Sequence, residues 1–478
     1  MIFVILLPFC ATYLCSRFKP YIRYKSKRMH AKLLDKYNIP APRYTSYPTV
    51  PYWQKDPPVP VDWNHRVLGA FEKSKDVSLY VHLPYCENLC TYCGCNKRIT
   101  KNHGVESPYI KTILKEWQQY LDLLPSRPVI KELHLGGGTP TFFSPENLEM
   151  LIEGLLGPAH VPYQFDYGFE AHPNSTSREH LKVLRKWGFN RLSIGVQDFA
   201  PEILEIINRR QTMEQVREVT TWAREIGYQS INYDLIFGLP LQQPEHIRRT
   251  FKEVKLLRPE RIAFYSYAHV PWIKPSQRAY SEADLPQGIE KRALYELGRT
   301  LLEEAGYHEI GMDHFALPHD SLYHAMQTGA LHRNFMGYTA NYTRLSIGLG
   351  ASAISDSWDA YIQNEKTIEA YQERIEQGEV PFFRGHLLSK EDQIIRSHIL
   401  NLMCRHETSW RDTEYQCTAL REGIKRLSVL KKDGLVEIFS TELRVTEAGQ
   451  PFIRNICLAL DAHYWRKQPD GQLFSQVV

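Results

Sequence analysis

The sequence has little that would place it in a membrane. Its N-terminal apolar run, MIFVILLPFCATYLC, is shorter than the roughly 20 residues that a membrane helix needs, and it lacks the basic start of a signal peptide. A basic tail, RFKPYIRYKSKR, follows it, and Met29 then opens an ordinary soluble segment. We therefore predict no membrane span. We expect Met29 to be the natural start, with residues 1–28 as translated upstream sequence or a weak anchor.

The sequence also lacks an excess of charge of one sign. Its 58 Lys and Arg residues and 54 Asp and Glu residues leave a net charge of +4, which does not indicate a nucleic-acid or membrane partner. Cysteine is also sparse, with nine residues in 478, which is too few for a disulfide scaffold. The number is odd, so any full pairing would leave one cysteine free. The chain is long enough for two or three domains, and a reducing cytoplasm fits its cysteine usage.

Four of the nine cysteines nevertheless lie close together, in the stretch YVHLPYCENLCTYCGCN. The spacing of Cys86, Cys90, Cys93 and Cys95 lets a short loop bring several thiolates to one point, and thiolates select zinc, copper(I) or iron–sulfur clusters. Three cysteines spaced C-x3-C-x2-C can hold three irons of a four-iron cubane and leave one iron without a protein ligand. The alternatives are a zinc site with Cys95 or His82 as fourth ligand, and a ferredoxin-type electron carrier.

Strand-like and helical patterns alternate from SLYVHL onward. The strand-like runs are SLYVHL, IKELHLG, FDYGFEA, RLSIGVQ, INYDLIFG and RIAFYSYA, and helices are predicted over residues 109–124, 145–156, 177–187, 201–226 and 244–257. This alternation favours βαβ units with a parallel sheet, and six units predict a partial or complete α/β barrel. Because barrel strands carry their chemistry at their carboxyl ends, the cysteine loop lies where an active site is expected.

A run of three glycines follows the second predicted strand, in LHLGGGTPT. Without β-carbons, these residues let the backbone approach a ligand closely and turn with positive φ. Polar residues at or just beyond later strand ends would share the same barrel mouth: Glu170, Gln197, Arg209 and Asp234. Singly, each of them also fits a rim residue or a helix cap.

The segments that flank the alternating region differ from it. Residues 29–70 include PRYTSYPTVPYWQKDPPVP, which predicts an extended arm over another surface or a packed linker. We place the barrel in residues 71–335 and a mostly helical domain in residues 336–478, where two helices precede a small hairpin. That order resembles a winged helix, but a basic helix face attached to a catalytic barrel is more typical of packing than of DNA binding.

The chain resembles a known family at many points, in order. The matching segments are PRYTSYPT, CENLCTYCGCNK, GGGTPT, NRLSIGVQDF, INYDLIFGLP, YAHVP, GMDHFA, LHRNFMGYT, GASAIS and IRNIC. Over residues 29–478 they resemble the oxygen-independent coproporphyrinogen III oxidases of the radical S-adenosylmethionine (SAM) superfamily. The related heme-chaperone branch shares the cysteine loop and GGGTP but typically lacks the C-x-C ending and the PRYTSYPT arm. Because of the shared motifs, a heme-transfer protein without decarboxylase activity is the alternative, although this chain has both of the features that the branch typically lacks.

The resemblance implies an α/β fold, a partial (β/α)6 TIM-like radical SAM barrel with a winged-helix-like C-terminal domain. It implies anaerobic oxidative decarboxylation of coproporphyrinogen III to protoporphyrinogen IX in heme biosynthesis, by hydrogen abstraction with a 5'-deoxyadenosyl radical. The implied cofactors are a [4Fe–4S] cluster with an open iron and two molecules of SAM. The implied partners are the substrate and a low-potential electron donor of flavodoxin or ferredoxin type. We expect a cytoplasmic monomer that binds no nucleic acid.

The resemblance also assigns site residues by position. The cluster ligands would be Cys86, Cys90 and Cys93. Positions that match contacts to the first SAM are Tyr80, Gly137, Glu170 and Ile354, and those that match contacts to the second are Tyr92, Gly138, Thr139, Gln197, Arg209, Asp234 and Ala268. Cys95, the family's extra cysteine, and Tyr80 are the candidates for catalytic roles.

A tetrapyrrole with four propionates needs cationic partners and apolar walls. The motif segments offer five basic side chains, and the sequence does not choose among them: Arg43, His269, His314, His332 and Arg333. One departure from the family's pattern is visible, because FEAHP carries His172 where an acidic residue is expected. This change would shift cofactor affinity or its pH response, or it is a tolerated change in a loop.

Overall fold

The computed structural model of the protein describes residues 32–468, 471 and 473–477, so the expectation about Met29 and residues 1–28 lies outside the described residues. Within the described part of the chain, no helix is both long and apolar enough to cross a membrane. The architecture is built on one twelve-stranded sheet.

Six parallel strands form the barrel part of this sheet, as the alternating pattern predicts. They are β1 (Asp76–Leu83), β2 (Val129–Gly137), β3 (Asp166–Ala171), β4 (Arg191–Gln197), β5 (Ser230–Phe237) and β6 (Arg261–Ser266). Each strand pairs in parallel with the next. Most of their residues are buried, as is typical of a parallel sheet covered on both faces. All six carboxyl ends therefore point to the same end of the barrel.

Helices follow these strands along the chain. They are Glu106–Leu123, Pro145–Leu156, Arg178–Lys186, Pro201–Ile206, Met213–Ile226, Pro244–Leu257 and Gly288–Glu304. The prediction of one helix over residues 201–226 is wrong. The chain leaves the first helix at Asn208, whose φ is +50°, and Thr212 then caps a new helix by accepting the backbone N–H of Gln215.

Six further strands extend the sheet on both sides. β7 (His308–Gly311) and β8 (His314–Ala316) lie beyond β6, while β9 (Leu345–Leu349), β10 (Ile354–Asp356), β11 (Ala360–Asn364) and β12 (Phe382–Leu387) lie beyond β1. β9 runs parallel to β1, and the strands outside it are antiparallel. The sheet therefore continues past residue 335, where the sequence analysis placed the end of the barrel domain. β7 and β12 are its two edges, so the barrel is partial.

The C-terminal region is mostly helical, as predicted. Its helices are Ile368–Glu376, Lys390–Arg405, Thr418–Arg426, Ser428–Lys432, Ile453–Leu460 and Ala462–Arg466. A three-stranded sheet joins Glu407–Ser409 to the hairpin Val436–Ile438 and Glu442–Val445, which gives the winged-helix outline that the sequence indicates. Leu34, Tyr37 and Tyr44 near the N-terminus belong to the same hydrophobic cluster as this region.

The segment of residues 38–59 contains only the short 3-10 turn Val50–Tyr52 and crosses the sheet extension. Trp53 stacks on Tyr361 of β11, with ring centroids 5.0 Å apart. Helix Pro60–Lys73 follows, so the prediction of an extended arm over residues 29–70 is wrong from residue 60 onward. The N-terminal segment therefore lies over the strands that the structure adds beyond β1.

A buried carboxylate fastens the first barrel helix to the added strands. Glu116 accepts hydrogen bonds from the Gly350 backbone N–H (2.8 Å), the Asn364 amide (2.6 Å) and the Tyr371 hydroxyl (2.6 Å). Burial raises the pKa of Glu116 to about 7, although these donors favour its ionised form. One side chain thus joins the turn after β9, strand β11 and helix Ile368–Glu376 to the barrel.

We predict that Glu116→Ala lowers the stability of the protein by roughly 3 kcal/mol, because it leaves three donors without an acceptor. The folded state binds the Glu116 proton more tightly than the unfolded state does. The difference in unfolding free energy between wild type and Glu116→Ala therefore shrinks as the pH rises through about 7. Thermal unfolding at pH 6 and pH 8 measures both effects. Gln118→Ala, on the exposed face of the same helix, is the matched control and should change stability little. Equal melting temperatures for the two variants would contradict this role of Glu116.

Candidate functional site

The cysteine loop follows β1 and is fixed by backbone contacts at its base and at its tip. At the base, the two-residue strand Tyr85–Cys86 pairs with Arg98–Ile99. At the tip, Thr91 donates its backbone N–H to the Ile207 carbonyl at 3.0 Å, in the break between the two helices of the fourth unit. The helix break therefore exposes a carbonyl that binds the tip of the loop.

Two of the predicted ligand thiols are held by side chains from other elements. Cys86 Sγ lies 3.2 Å from Thr139 Oγ1, and burial raises the pKa of this thiol to about 11. Cys90 is buried, and its Sγ accepts a hydrogen bond from Arg209 Nη1 at 3.5 Å. Both neighbours stabilise the negative charge that a ligating thiolate carries.

The other two cysteines of the loop, Cys93 and Cys95, influence each other. The neighbouring Cys95 side chain and Lys97 lower the pKa of Cys93, and Cys93 in turn raises the pKa of Cys95. Lys97 Nζ also donates to the Cys93 carbonyl at 3.1 Å. The surroundings of Cys93 therefore favour its thiolate, the form that binds a metal.

The glycine run packs against the base of the cysteine loop. A β-carbon at Gly138 would lie 2.6 Å from the carbonyl carbon of Pro84, and Gly137 has a φ of +118°. The Gly138 N–H donates to the Leu83 carbonyl at 2.8 Å. The sequence indicates that the backbone of the glycine run approaches a ligand closely. In the structure this backbone also approaches the chain just before Cys86.

Two strand-end carboxylates face each other across the barrel mouth. Glu170 accepts the Gly137 N–H at 3.3 Å, and its Oε1 lies 3.5 Å from His134 Nε2. Asp234 accepts the Ser193 hydroxyl at 3.0 Å. Burial raises the pKa of Asp234 to about 6, and the charge of Glu170 adds to this effect. The mouth can therefore present one or two negative charges to a cationic ligand.

Arg209 reaches into the mouth from the helix break. Its guanidinium donates to the Gly195 carbonyl and, at 3.4 Å, to the Tyr92 hydroxyl. A β-carbon at Gly195 would lie 2.9 Å from both Arg209 Nη2 and Gln197 Nε2, so either side chain would have to shift to admit one. Gln197 itself adopts a φ of +67° at the end of β4, an uncommon conformation for this residue type.

Two cavities open among these residues and share one wall. The smaller, of about 310 Å³, is lined by the four loop cysteines and by Tyr92, Gly138, Thr139, Gln197, Arg209 and Asp234. The larger, of about 600 Å³, is lined by Tyr80, His134, Phe335 and Ile354. Five residues line both: Gly94, Cys95, Gly137, Glu170 and Tyr265. The residues matched to the first SAM thus all border the larger cavity, and those matched to the second border the smaller, except Ala268.

Ala268 lies outside both cavity linings but is joined to the loop through Gln277. The Gln277 amide donates to the Ala268 carbonyl at 3.2 Å and to the Tyr92 carbonyl at 2.9 Å. Gln277 is 1% exposed, so its amide group is shielded from water and bonds to these two carbonyls instead. The sequence offers no signal for Gln277, because it lies in the short 3-10 segment Pro275–Ala279 and in no motif.

Tyr265 and His134 line the larger cavity and were not predicted. The His134 ring stacks on Tyr80, with centroids 6.1 Å apart and planes at 13°. Tyr265 lies near the carboxyl end of β6. The strand-end rule that found Glu170 could also have found Tyr265.

His82 is not available as a metal ligand in this structure. Its Nε2 lies 2.9 Å from the Asn96 carbonyl and its Nδ1 lies 3.1 Å from the Tyr80 hydroxyl, so both ring nitrogens are hydrogen-bonded. Burial also lowers the pKa of His82 and keeps the ring neutral. Its role is to hold the end of the cysteine loop against β1.

His172, the departure from the family's pattern, lines the smaller cavity. Its Nδ1 accepts the Asn174 backbone N–H at 3.1 Å. Burial holds the pKa of His172 well below its usual range, and the charge of Arg209 adds to this effect. The position therefore presents a neutral ring where an acidic residue was expected.

The donor set fits a [4Fe–4S] cluster held by three cysteines. Cys86, Cys90 and Cys93 line one cavity, both ring nitrogens of His82 are hydrogen-bonded, and Cys95 lies on the wall shared with the larger cavity. Three thiols in the C-x3-C-x2-C spacing suit a cluster with one open iron. The adjoining cavity leaves space for a small molecule at that open position.

Comparison with known proteins agrees with this geometry. Residues 80–254 match the sequence model of the radical SAM superfamily. The oxygen-independent coproporphyrinogen III oxidase of Pseudomonas aeruginosa is 37% identical over 458 residues, which cover 94% of this chain and 99% of that protein. Its counterpart in Escherichia coli is 38% identical over 453 residues, which cover 93% and 98%. The solved structure of coproporphyrinogen III oxidase from Escherichia coli, described as a radical SAM enzyme, superimposes with a TM-score of 0.84 at 36% identity and covers 88% of this chain and 97% of that one.

We predict that Gly138→Ala loses most of the bound iron, because its β-carbon would collide with the Pro84 carbonyl and displace the base of the cysteine loop. Gly94→Ala is the matched control, since a β-carbon at Gly94 meets no atom within 4 Å in the described structure. Iron and sulfide per chain after anaerobic reconstitution measure the difference. Full cluster content in Gly138→Ala would show that this backbone contact is not needed.

Proposed function

The chain belongs to the oxygen-independent coproporphyrinogen III oxidase family of the radical SAM superfamily, and from that membership we propose that it converts coproporphyrinogen III to protoporphyrinogen IX without oxygen. In this reaction each of two propionates gives up a hydrogen atom, one further electron and carbon dioxide, and becomes a vinyl group. The product feeds heme biosynthesis.

One observation carries the proposal: three cysteine thiols line a cavity that strand-end polar side chains also border. Such an arrangement leaves a metal cluster open to a ligand on one side only. A structural zinc site would need a fourth protein donor, but both ring nitrogens of His82 are hydrogen-bonded and Cys95 also borders the larger cavity. An enzymatic centre is therefore better supported than a structural one.

A [4Fe–4S] cluster and SAM are the cofactors of this superfamily, and when bound they supply a 5'-deoxyadenosyl radical that abstracts a hydrogen atom. We assign Cys86, Cys90 and Cys93 to hold the cluster. Glu170 offers an acceptor to the ammonium group of SAM and Arg209 offers donors to a carboxylate. We propose two SAM molecules, because the residues matched to each border different, adjoining cavities.

Cys95 and Tyr80 are the side chains that we propose for roles in the reaction. Cys95 lines both cavities, and Tyr80 lines the larger one together with Glu170. Burial raises the pKa of the Tyr80 hydroxyl, and the charge of Glu170 raises it further. Both side chains therefore carry protons at the site. We propose that Cys95 acts on the substrate or tunes its radical and that Tyr80 positions the cofactor.

The N-terminal segment closes one wall of the larger cavity. Phe335 lines that cavity, and Trp53 packs edge-on against Phe335 with ring centroids 6.0 Å apart. An aromatic wall of this kind excludes water and other hydrogen donors from a reactive centre. This protection is what an indiscriminate hydrogen-abstracting chemistry requires.

Arg333 is the best supported partner for a substrate propionate. It is 7% exposed, and within the described residues its Nε and Nη1 have no hydrogen-bond partner. The following residues, Asn334, Phe335 and Met336, line the larger cavity. A buried guanidinium with free donors is suited to bind a carboxylate.

The other basic candidates are less suited to bind carboxylates. Arg43 already pairs with Asp313 at 2.7 Å. Burial lowers the pKa of His314 to about 4 and that of His332 to about 3, so both rings are neutral near pH 7. Burial also lowers the pKa of His269.

Further proposals rest on the family resemblance alone. We propose a flavodoxin- or ferredoxin-type electron donor, a monomeric state and a cytoplasmic location.

Anaerobic turnover tests the proposed function. The cluster-loaded protein should form protoporphyrinogen IX and two molecules of carbon dioxide per coproporphyrinogen III, and only when SAM and a low-potential reductant are both present. Heme as a tightly bound ligand, with no turnover by a fully loaded cluster, would instead support a heme-transfer protein.

We predict that Cys95→Ser keeps its cluster and loses at least about a hundredfold in turnover, because Cys95 lies between the two cavities without holding the metal. Cys93→Ser is the comparison and should lose the cluster itself. Iron content and the rate of product formation separate the two effects. A Cys95→Ser protein with depleted iron would make Cys95 a ligand, and one with unchanged turnover would remove it from the reaction.

We predict that Arg333→Met raises the KM for coproporphyrinogen III by roughly ten- to a hundredfold, because a charge-assisted hydrogen bond to a carboxylate is lost. Cluster content and SAM binding should be unchanged. Arg421→Met, at an exposed position of the C-terminal region, is the matched control. An unaltered KM in Arg333→Met would assign the propionates to other residues.

A further inference from the structure

A second cluster of metal-ligating side chains lies far along the chain from the cysteine loop. His386 on β12, Asp392 in the first turn of helix Lys390–Arg405 and His463 on helix Ala462–Arg466 each offer one donor atom, and these atoms lie within 4.8 Å of one another. The three elements belong to the edge of the sheet and to the C-terminal region. Neither the cysteine loop nor its cavities include any of them.

His386 is the observation that points to a missing ligand. It is 8% exposed, and within the described residues neither of its ring nitrogens has a hydrogen-bond partner. Its Nε2 lies 3.6 Å from Asp392 Oδ2, which is too long for a hydrogen bond. Two ligands bound to one tetrahedral zinc ion at about 2.0–2.1 Å stand about 3.3 Å apart, so this separation suits a shared ion.

Hydrogen bonds hold the Asp392 carboxylate in one orientation, as is typical of a metal ligand. Asp392 Oδ2 accepts the Ser389 hydroxyl at 2.7 Å and the Ser389 backbone N–H at 3.0 Å. Its Oδ1 lies 2.6 Å from His463 Nε2. These contacts, together with the two histidines, hold the pKa of Asp392 well below its usual range against the opposing effect of burial. Hydrogen bonds of this type orient a ligating carboxylate.

We propose that His386, Asp392 and His463 bind a divalent transition-metal ion of the zinc class. Two imidazoles and a carboxylate suit zinc, cobalt or iron(II) rather than calcium or magnesium, which prefer oxygen ligands. The ion replaces the hydrogen bond between His463 and Asp392 and takes Nε2 of His386 as its third ligand. The His463 side chain is 25% exposed, which leaves a path for entry and a position for water.

The bound ion fastens the end of the chain to the sheet edge. Tyr47 of the N-terminal segment packs edge-on against His463, with ring centroids 5.8 Å apart, and its hydroxyl accepts the Ala462 N–H at 3.1 Å. The site therefore joins β12, the C-terminal helices and the N-terminal segment. Its role is structural, and it is independent of the proposed reaction.

Cobalt(II) added to the full-length, cluster-loaded protein tests the proposal. We expect one equivalent to bind, with an X-ray absorption spectrum at the cobalt edge that shows nitrogen and oxygen neighbours and no sulfur. Bound cobalt or zinc should also raise the unfolding temperature. His386→Ala should weaken cobalt binding at least tenfold and abolish the temperature shift, while His319→Ala, at an exposed position, should change neither.

His386→Gln and Asp392→Asn keep the side-chain volumes and guard against a folding defect in His386→Ala. They should retain the cluster and a native circular dichroism spectrum but lose the cobalt. The proposal is overturned if wild-type protein binds no cobalt at micromolar concentration, or if the three variants bind cobalt as tightly as wild type does. Sulfur ligation that accounts for all bound cobalt would likewise assign the metal to the cysteine loop.

Discussion

Three thiols can hold one cluster only if a short loop keeps them at one point, and here the loop depends on contacts with distant backbone. Its base is pressed against Gly138, where a β-carbon would lie 2.6 Å from the Pro84 carbonyl carbon. Its tip is bonded to the Ile207 carbonyl in a helix break. The parallel strands, the glycine run and the broken helix therefore all serve one requirement, which is to place the loop rigidly at the barrel mouth.

The same arrangement decides where chemistry can happen. Cys95, Glu170 and Tyr265 line the wall that the two cavities share, so a molecule in one cavity is separated from the other by a few side chains. Strands beyond residue 335 and the N-terminal segment complete the larger cavity through Ile354 and the Trp53–Phe335 contact. The barrel supplies the reactive centre, and the flanking segments supply the enclosure that a radical reaction needs.

Features that depend on the pattern of neighbouring residues could be predicted from the sequence. Features that depend on contacts between distant segments could not. The six parallel strands follow from alternating patterns, and the position of the cysteine loop at the barrel mouth follows from its place after the first strand. Gln277 was missed because its contact with Tyr92 joins residues 185 positions apart, and Glu116 was missed because its acceptor role depends on Gly350, 234 positions away. The helix break at Asn208 was also missed, and it contacts the cysteine loop 119 positions earlier, where the Asn208 amide donates to the Leu89 carbonyl. Periodicity carries no record of such contacts.

The central claim is that three cysteines hold a four-iron cluster whose remaining iron is open to SAM. Mössbauer spectroscopy of the protein reconstituted with isotopically labelled iron tests this claim directly, in samples with and without SAM. The account predicts that one iron site of the cluster changes on addition of SAM, while the three thiolate-bound sites do not. A protein that takes up zinc and no cluster, or a cluster in which no iron site responds to SAM, would contradict it.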